Sequence, residues 1–497
     1  MLPSSCYAIY LAQVMEIELK LALDPGHLAR CKRHPMLAGA NSERRTLRSL
    51  YFDTLDFALT RREIALRLRR VGYHWVQTLK AAAPAVGALS ARPEWEAQIM
   101  GNTPDLAVLA PEALALLADI DLAGLAPVFV TEIKRTTWQV EVGATAMEIA
   151  LDQGEVRAGD RAQAISEIEL ELKAGPPDGL FVAALDLLER APLRVDSRSK
   201  AARGYQLAGA VAAAPVKAAW PKLDPAVAAG ASWVALVEAA LAQLVDNLPG
   251  FLEQSDDIEY LHQARVALRR LLSLARLLDQ PAPPWLDALR EQMTVLNPAR
   301  DWDVFQAETL ARLDLPHDAD FLAAVAARVA GARAAARATL ASPGFTRAVL
   351  LLGQALLQPP KLDMTTREWA ARVLERRWKS VRRRGAALSE GDPVPRHRLR
   401  IAVKKLRYAT DALASLHGKR VGKSLAALEA LQDSLGNLND LAVAERLMRG
   451  LAHDHPETAY NAGQIVGLLR AEARRHGDSD ARIRAEIEAI KPFWRAR

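Results

Sequence analysis

Acidic and basic side chains alternate with apolar residues in several short segments of the N-terminal half of the chain. In Glu16-Ile17-Glu18-Leu19-Lys20, the two carboxylates and the ammonium group would share one face of a β-strand, because successive side chains point to opposite faces. Carboxylates suit a hard divalent cation, and guanidinium and ammonium groups suit phosphate oxygens. The pattern therefore predicts a site for a polyanion bound with a divalent metal. The same alternation recurs at Arg67 and Arg69, at Glu148 and Asp152, and at Glu167, Glu169, Glu171 and Lys173.

Strands with one charged and one apolar face favour a closed antiparallel barrel that has a polar lumen and an outer surface covered by helices. A single Glu-x-Glu pair more often keeps an edge strand solvated than forms a metal site. Three such strands together with basic strands, however, favour a functional lumen. A helix is predicted at 178–189, against the outer face of the barrel. Further strands are predicted at 47–53, 64–71, 75–81, 93–99, 128–135, 137–142, 146–153, 155–158 and 166–174.

The length of 497 residues is enough for two or three domains. No apolar run approaches the ~20 residues that span a bilayer, so we expect no membrane association. Residues 1–14 lack a basic segment and a cleavage site, and are predicted to form a dispensable N-terminal tail. Cys6 and Cys31 have no metal-binding or redox spacing, which is typical of a reduced, cytoplasmic protein.

The positive charge is concentrated in the C-terminal half. Residues 1–210 carry a net charge of −2 and the remainder carries +8, within a total of +6. An Ala/Pro-rich linker at 209–230 separates the strand pattern from Ala/Leu/Arg-rich helical segments at 231–497. The basic half predicts an anionic partner there. Nucleic acid is not expected, because aromatic residues make up only 5% of the chain and do not interleave with the basic runs.

The helical half contains an internal repeat, with units at about 231–358 and 361–497. The motif His-x-x-Arg-[VI]-x-x-[RK]-[RK]-Leu begins at His262 and again at His397, 135 residues later. Duplicated units predict two related helical bundles. Each motif helix has an apolar stripe for the core and, beside it, a basic stripe in which like charges stack at i, i+4. Either a bound polyanion or the acids Asp301 and Asp440 could neutralise these basic stripes, and the repetition of the stripe favours the polyanion. The basic positions of the two motifs are His262, Arg265, Arg269 and Arg270, and His397, Arg400, Lys404, Lys405 and Arg407.

Together these motifs resemble two known families. The opening Glu16–Lys20 segment and the blocks MEIALDQGEVRAG (147–159), ISEIELELKAG (165–175) and SKAARGYQLA (199–208) resemble the CYTH superfamily of triphosphate tunnel enzymes. The paired helical motifs resemble a CHAD domain. The order of the two halves is similar to that of the bacterial CYTH–CHAD inorganic triphosphatases.

The resemblance implies an eight-stranded tunnel that hydrolyses inorganic triphosphate with Mg²⁺ or Mn²⁺, and a CHAD half that binds inorganic polyphosphate. It implies that the catalytic set includes Glu16, Glu18, Lys20, Glu169 and Glu171. The implied metal ligands are Glu16, Glu18, Glu148, Asp152, Glu169 and Glu171. The implied substrate-binding bases are Lys20, Arg67, Arg69, Lys80, Arg135 and Lys200. Lys134 could replace Arg135 if the register slipped by one residue, and Glu94 and Glu96 could face either the tunnel or solvent.

We therefore predict an α+β chain with a tail at 1–14, a tunnel domain at 15–208, a linker at 209–230 and an all-α CHAD domain at 231–497. The predicted activity is hydrolysis of inorganic triphosphate by a cytoplasmic enzyme that associates with polyphosphate granules. The alternative is a polyphosphate-binding or granule-associated protein without turnover. The acidic residues favour the enzyme, since binding alone would need only bases. Adenylate cyclase activity also occurs in the superfamily, but no purine pocket can be recognised in the sequence.

Overall fold

A computed structural model describes residues 15–81, 85–86, 88–217, 219–253, 256–278, 281, 283–313, 315–389, 393–418, 420–475 and 480–495. The predicted tail at 1–14 lies outside these residues. The chain forms two compact units. Unit 1 consists of residues 1–216, 241–255 and 341–358, and unit 2 of residues 217–240, 256–340 and 359–497. Two segments of the predicted helical domain thus group with unit 1, and the predicted domain boundaries remain a prediction.

Unit 1 contains a closed antiparallel barrel of eight strands, which confirms the predicted fold class. The strands are β1 (Met15–Leu23), β2 (Ser42–Asp53), β3 (Ile64–Val71), β4 (His74–Ala81), β5 (Ala85–Val86), β6 (Leu89–Ile99), β7 (Ala126–Val142), β8 (Thr145–Ala158), β9 (Arg161–Ala174) and β10 (Leu193–Val195). The order around the barrel is β1-β9-β8-β7-β2-β3-β4-β6, and β6 pairs with β1 to close the ring. In addition, β10 pairs with β1, and β5 pairs with β6.

Two strands are longer than the sequence pattern predicts. The predicted strands at 128–135 and 137–142 form the single strand β7, and those at 146–153 and 155–158 form the single strand β8. The strand continues through Gly154, which falls between the two predicted pieces of β8. A glycine is needed at this position because β7 approaches it closely. A Cβ atom on Gly154 would lie only 1.9 Å from the carbonyl oxygen of Glu132. Glycine inside a strand often marks such a close approach of backbones.

Unit 1 also contains short helices and part of the longer ones. Its helices are α1 (Leu28–Lys32), α2 (Pro35–Ala38), α3 (Ala58–Arg61), α4 (Pro111–Leu116), α5 (Asp178–Arg190), α6 (Lys200–Ala208) and α11 (Pro343–Leu356). One outer apolar cluster joins Leu59 of α3 and Ala113 of α4 to Leu66, Leu68 and Leu79 of the barrel. The apolar strand face is therefore covered by helices, as predicted.

Helix α6 fills one end of the barrel. Tyr205 packs edge to face against Phe129 of β7, whose ring stacks on Tyr51 of β2 at a centroid distance of 4.4 Å. Tyr51 and Phe129 lie on the inward faces of their strands. The helix can enter this far because Gly204 has no side chain, since a Cβ atom there would lie 2.1 Å from the Phe129 ring. This docking brings Lys200, at the start of α6, to the charged part of the lumen.

The remaining helices are α7 (Ala229–Leu252), α8 (Glu259–Ala275), α9 (Pro284–Val304) with a π-helical continuation (Phe305–Leu310), α10 (Ala319–Leu340), α12 (Thr366–Ala386), α13 (Pro393–Ala412), α14 (Arg420–Asp454), α15 (Ala459–Arg475) and α16 (Asp480–Ala489). By length and composition, α7 could cross a membrane, with a mean hydropathy of 1.2 over 18 residues. However, 67% of that window is buried inside the protein, as in a core helix. Helix α7 is continuous, but Glu238 and Asp246 interrupt its apolar sequence, so no unbroken apolar run of this length appears in the chain.

The predicted core stripes of the two motif helices are buried in unit 2. Leu268 of α8 and Val403 of α13 are both 0% exposed. A second core in this unit joins α9 and α10 to α14 and α15, through residues such as Phe321 and Met448. That core takes helices from both sequence repeats, so a repeat does not correspond to one separate bundle. The physical reason is that related helices carry related apolar stripes, which can pack against each other.

Candidate functional site

The strand register brings the alternating charged residues onto the inner face of the barrel. Between β1 and β9, Glu18 lies opposite Glu171 and Lys20 lies opposite Glu169. Between β8 and β9, Glu148 lies opposite Glu171 and Asp152 lies opposite Glu167. Directly opposed residues share a face of the sheet. The acids and bases that the sequence places on separate strands therefore meet in one lumen.

Three carboxylates form the most compact acidic group, called here the carboxylate cluster: Asp152, Glu167 and Glu169. One oxygen from each of them lies within 4.8 Å of the others. Asp152 and Glu167 are fully buried. The ammonium of Lys200 lies among them, with Nζ 2.6 Å from Asp152, 2.5 Å from Glu167 and 2.7 Å from Glu169. Although burial disfavours a charged amine, these three acids raise the pKa of Lys200 well above its ordinary value.

Arg135 completes this network from β7. Its guanidinium donates to both carboxylate oxygens of Asp152, at 2.7 and 2.6 Å, and to Glu169 at 2.5 Å. Although burial alone would raise it, Lys200, Arg135 and Lys20 hold the pKa of Glu169 well below its usual range. The structure places Arg135 on the inner face and leaves Lys134 exposed, so the register does not slip by one residue.

Three arginines, Arg67, Arg69 and Arg135, face the same part of the lumen and are called here the arginine cluster. Arg69 donates to the Ser49 hydroxyl at 3.2 Å, and has no carboxylate partner within the described parts of the chain. Burial, together with the like charges of Arg67 and Arg135, lowers the pKa of Arg69 to about 10. Arg67 donates to the Thr78 hydroxyl at 2.9 Å. A group of cations with one member lacking an acid is suited to binding an anion.

The other predicted acids each have their own partner. Glu16 contacts Lys80 Nζ at 2.5 Å, and Glu148 accepts a hydrogen bond from Gln139 at 2.8 Å. Glu171 contacts Lys173 at 2.5 Å, and burial raises the pKa of Glu171, with Glu16 and Glu148 adding to the effect. These residues lie in the lumen, but among the described residues only Asp152 and Glu169 of the predicted metal set belong to a compact carboxylate group.

Sequence reasoning missed Arg92 and understated Glu167. Arg92 lies on β6 and donates to Glu18 at 2.5 Å. Its signal was available, because Arg92, Glu94 and Glu96 alternate along one strand. Glu94 contacts Lys80 at 3.0 Å, and Glu96 accepts a hydrogen bond from Thr78 at 2.9 Å, so both face the lumen side. From the sequence, Glu167 is assigned no role in the site, yet this residue is fully buried within the carboxylate cluster.

Lys20 and Arg203 connect the charged lumen to neighbouring segments. Lys20 is buried and donates to the carbonyl oxygen of Arg198. Desolvation lowers the pKa of Lys20, although Glu167, Glu18 and Glu169 oppose this effect. Arg203 of α6 contacts Glu167 at 3.3 Å and Asp196 at 3.1 Å. Neither Asp196 nor Arg203 is recognisable from strand alternation, since they lie outside the barrel strands.

The carboxylate cluster offers hard oxygen ligands, which divalent cations such as Mg²⁺ prefer. Its three acids are close enough for one cation to contact all of them. Lys200 already supplies a positive charge at this position, however, so a metal would have to displace its ammonium group. The residues present therefore fit a divalent cation in competition with Lys200.

In unit 2, the basic stripes of α8 and α13 meet in one group, called here the motif cluster: His262, Arg265, Arg269, Arg400 and Lys404. Burial, followed by the like charges of Arg400 and Arg269, lowers the pKa of Lys404 to about 8. Burial and Arg269 lower the pKa of Arg265 to about 10. Burial, followed by the charge of Arg300, lowers the pKa of His262 to about 4. His262 is therefore neutral at pH 7.

The motif cluster is only partly neutralised by protein groups. Arg265 donates to the Asn297 side chain at 2.8 Å, but its Nε and Nη1 are buried without a hydrogen-bond partner among the described residues. Within the same part of the chain, Arg269 Nε is also buried without a hydrogen-bond partner. Arg400 lies 3.7 Å from Asp440, which supplies one of the two acids considered from the sequence. Burial raises the pKa of Asp301, and the charges of Arg265 and then of Arg446, which lies 3.5 Å away, oppose this effect, so Asp301 acts on both arginines. Internal acids thus explain only part of the basic stripe.

The other predicted basic residues of the motifs lie in different surroundings. Arg270 contacts Asp411 at 3.1 Å and lies over the Trp220 ring. Arg407 donates to Gln432 at 2.9 Å. His397 is exposed. Burial lowers the pKa of Lys405, and the charges of Arg276, Arg377 and Arg384 add to this effect, so its neighbouring cations differ from those of Lys404.

Comparisons with known proteins match each half separately. The CYTH domain model matches residues 15–205, and the CHAD domain model matches residues 235–449. The inorganic triphosphatase of Haemophilus influenzae is 34% identical over 200 residues, which cover 39% of this chain. The chain spans 55% of the length of that relative.

One solved structure supports the assignment of the C-terminal half. The CHAD domain from the plant Ricinus communis is 34% identical, with a TM-score of 0.52, over 56% of this chain and 98% of that one. A protein from Pyrococcus horikoshii matches 38% of this chain and 97% of its own length, with 21% identity. Its TM-score of 0.26 is too low to add to the assignment. The chain therefore belongs to the CYTH and CHAD families, with a CYTH domain followed by a CHAD domain.

Proposed function

We propose that the CYTH barrel hydrolyses inorganic triphosphate to pyrophosphate and phosphate, with the help of a divalent metal ion. The observation that carries this proposal is the arginine cluster, in which Arg69 lies in the lumen and, among the described residues, has only the Ser49 hydroxyl as a hydrogen-bond partner. The H. influenzae relative, named an inorganic triphosphatase, supports the same activity. An enclosed group of cations beside carboxylates suits a small, highly charged phosphate chain.

In this mechanism, the cationic side chains bind the phosphate oxygens. Arg67 and Arg69 offer planar guanidinium groups that can bind two oxygens each, and Lys20 and Lys80 supply point charges. Binding would draw Lys80 away from Glu16, which lies 2.5 Å away. A freed carboxylate can then accept a proton from the water that attacks the terminal phosphorus. The cationic side chains stabilise the negative charge that develops on the departing pyrophosphate.

When bound, a divalent metal would supply Lewis-acid stabilisation of phosphate charge. Asp152, Glu167 and Glu169 are the residues that would hold it, because they form the compact carboxylate group of the lumen. The choice between Mg²⁺ and Mn²⁺ is part of the test.

The experiment measures phosphate release from triphosphate with Mg²⁺, Mn²⁺ or EDTA. We expect turnover only with metal, and a loss of about 10²–10⁴-fold in the Glu16→Gln variant, because it removes the carboxylate that accepts the proton from the attacking water. Glu132→Gln is the matched control, because Glu132 lies exposed on β7 and pairs with Arg48 at 3.4 Å. Tight triphosphate binding without any turnover would favour the non-enzymatic alternative. Full activity in EDTA would contradict the metal-assisted mechanism.

We further propose that the CHAD domain binds inorganic polyphosphate through the motif cluster. The supporting observation is that Arg265 and Arg269 have buried guanidinium nitrogens with no hydrogen-bond partner among the residues that the structure describes. A linear polyanion that neutralises several cations releases counterions, so its affinity should fall steeply with salt. Replacing Arg265, Arg269, Arg400 and Lys404 with glutamine should flatten this dependence. If that variant folds and binds with an unchanged salt slope, the motif cluster is not the binding surface.

A further inference from the structure

Two segments of the CHAD half group with the barrel in unit 1, and both contact the chain just before α6. They are residues 241–255, at the end of α7, and residues 341–358, which contain α11. The CHAD domain model includes both segments, since it matches residues 235–449. The stretch between β10 and α6, residues 196–199, is called here the junction segment. It leads directly into Lys200, whose ammonium lies in the carboxylate cluster.

The end of α7 holds the middle of the junction segment through two acidic side chains. The Ser197 hydroxyl donates to Asp246 Oδ1 at 3.0 Å. The Arg198 guanidinium donates to Glu253 Oε1 at 2.5 Å. It also contacts Asp196 at 3.1 Å, so Glu253 is its anchor outside the segment. The two α7 acids lie about two helical turns apart, and therefore on nearly the same side of the helix.

Helix α11 holds the strand that precedes the junction segment. Thr346 Oγ1 donates to the carbonyl oxygen of Leu193, the first residue of β10, at 2.9 Å. Thr346 is fully buried, so water cannot replace this hydroxyl. Because β10 pairs with β1 through Val195 and Leu21, the contact fixes the point from which the junction segment starts.

The junction segment supplies the acceptor of a lysine in the lumen. Lys20 Nζ donates to the carbonyl oxygen of Arg198, and Lys20 is only 5% exposed. A buried ammonium depends on such acceptors, because little water reaches its three donors. The position of the Arg198 carbonyl therefore helps to set the direction in which Lys20 points.

Attachment of α11 to the barrel explains other contacts, but these are placed differently. Arg347 of α11 pairs with Glu189 of α5 at the surface. Gly353 of α11 approaches Phe181 of α5 so closely that a Cβ atom would lie 2.7 Å from its ring. Helix α5 carries no residue of the proposed site. The contacts from α7 fall instead on Arg198, which carries the acceptor of Lys20, and on the residue before it.

We propose that Asp246 and Glu253 are positioning residues for the triphosphatase site, which act on Lys20 through the junction segment. This inference rests on the proposed binding and hydrolysis of triphosphate in the barrel. Asp246 and Glu253 belong to the CHAD half of the sequence, so that half supports the placement of a phosphate-binding lysine. Substituting them leaves every charge of the lumen present and changes only how firmly Lys20 is held.

The test uses full-length protein and the double variant Asp246→Ala with Glu253→Gln. Both acids are exposed, so we expect the variant to fold, and circular dichroism with a thermal melt checks this. Glu253→Gln alone is the milder second variant. Glu189→Gln is the matched control, because it breaks an exposed ion pair between α5 and α11 that does not involve the junction segment. Calorimetry measures triphosphate affinity, and phosphate release measures kcat/KM, for each variant with Lys20 intact and in a Lys20→Gln background.

We expect the double variant to lose about 10–100-fold in kcat/KM and to bind triphosphate more weakly, since a displacement of about 1 Å can cost about 10²-fold. In the Lys20→Gln background, the same substitutions should change either quantity by less than about twofold, because they act through Lys20. A purely structural role would give the same loss in both backgrounds.

An equal loss with and without Lys20 would therefore overturn the inference. Wild-type affinity and kinetics in the folded double variant, or the same loss in Glu189→Gln, would also overturn it. Absence of phosphate release from the wild type with every metal would count against the proposed hydrolysis instead, and the affinity comparison would still decide the role of Asp246 and Glu253. Absence of triphosphate binding by the wild type would overturn both.

Discussion

Lys200 is the positive charge on which the carboxylate cluster depends in the absence of a bound metal. The Lys200→Gln variant removes an ammonium group that lies 2.5–2.7 Å from three acids. Arg135 and Arg203 remain as partners, but each contacts only part of the cluster. The variant therefore leaves three carboxylates close together with too little positive charge.

The size of the effect follows from the geometry. Two unit charges separated by 4.8 Å, the outer limit within the cluster, repel by about 3.5 kcal/mol at an effective dielectric constant of about 20. Removing one partner of a buried ion pair typically costs about 3–5 kcal/mol. We expect the free energy of unfolding of the barrel to fall by a similar amount in EDTA. Part of this loss should disappear at low pH, where a carboxylate can take up a proton.

The assay is a thermal melt followed in EDTA and in Mg²⁺. Because a metal can replace the missing ammonium charge, Mg²⁺ should raise the melting temperature of Lys200→Gln more than that of the wild type. Lys173→Gln is the control, since Lys173 is 41% exposed, contacts Glu171, and should contribute less than about 1 kcal/mol. If Lys200→Gln melts like the wild type in EDTA and gains nothing from Mg²⁺, the described role of Lys200 is wrong.

Three further predictions concern different parts of the molecule. Arg69→Gln should reduce kcat/KM for triphosphate by about 10²-fold, because it removes a guanidinium with no competing acid; steady-state phosphate release measures this, and wild-type kinetics would exclude Arg69 from substrate binding. Gly204→Ala should destabilise the barrel by about 1–3 kcal/mol, because its Cβ atom would overlap with Phe129. The control Gly331→Ala has open space around it and should leave the melting temperature unchanged or raise it. Equal melting temperatures of the two variants would contradict the packing of α6. Polyphosphate affinity should fall as pH rises through about 8, where free Lys404 loses its proton, and Lys404→Arg should weaken this dependence in a binding titration; the same pH profile in both proteins would show that Lys404 does not contact the ligand.

The barrel and its charged lumen could be predicted because β-strand alternation is a local property. The segment Glu16–Lys20 shows a charged face directly, and the inner positions of Arg67 and Arg69 follow from the same rule. The depth of a residue in the lumen depends on the stagger between strands, which a single strand does not show. Strand alternation therefore places Glu167 on the charged face but does not show that it is buried in the carboxylate cluster.

Contacts between elements were the part that the sequence could not supply. Arg203 reaches Glu167 only because α6 enters the end of the barrel, and that depends on Gly204 next to Phe129. In the helical half, periodicity shows two basic stripes but does not show that they face each other. It also gives no indication that the adjacent residues Lys404 and Lys405 belong to separate groups of cations.

Because α6 occupies one end of the barrel, molecules must enter and leave the lumen through the other end. A phosphate chain longer than the lumen could then enter only by its terminus, since its middle cannot pass through. The fragment that lies deeper after cleavage would have to wait until the outer fragment had left. In the proposed reaction, the helix at this end of the barrel would impose end-first entry and a fixed order of product departure.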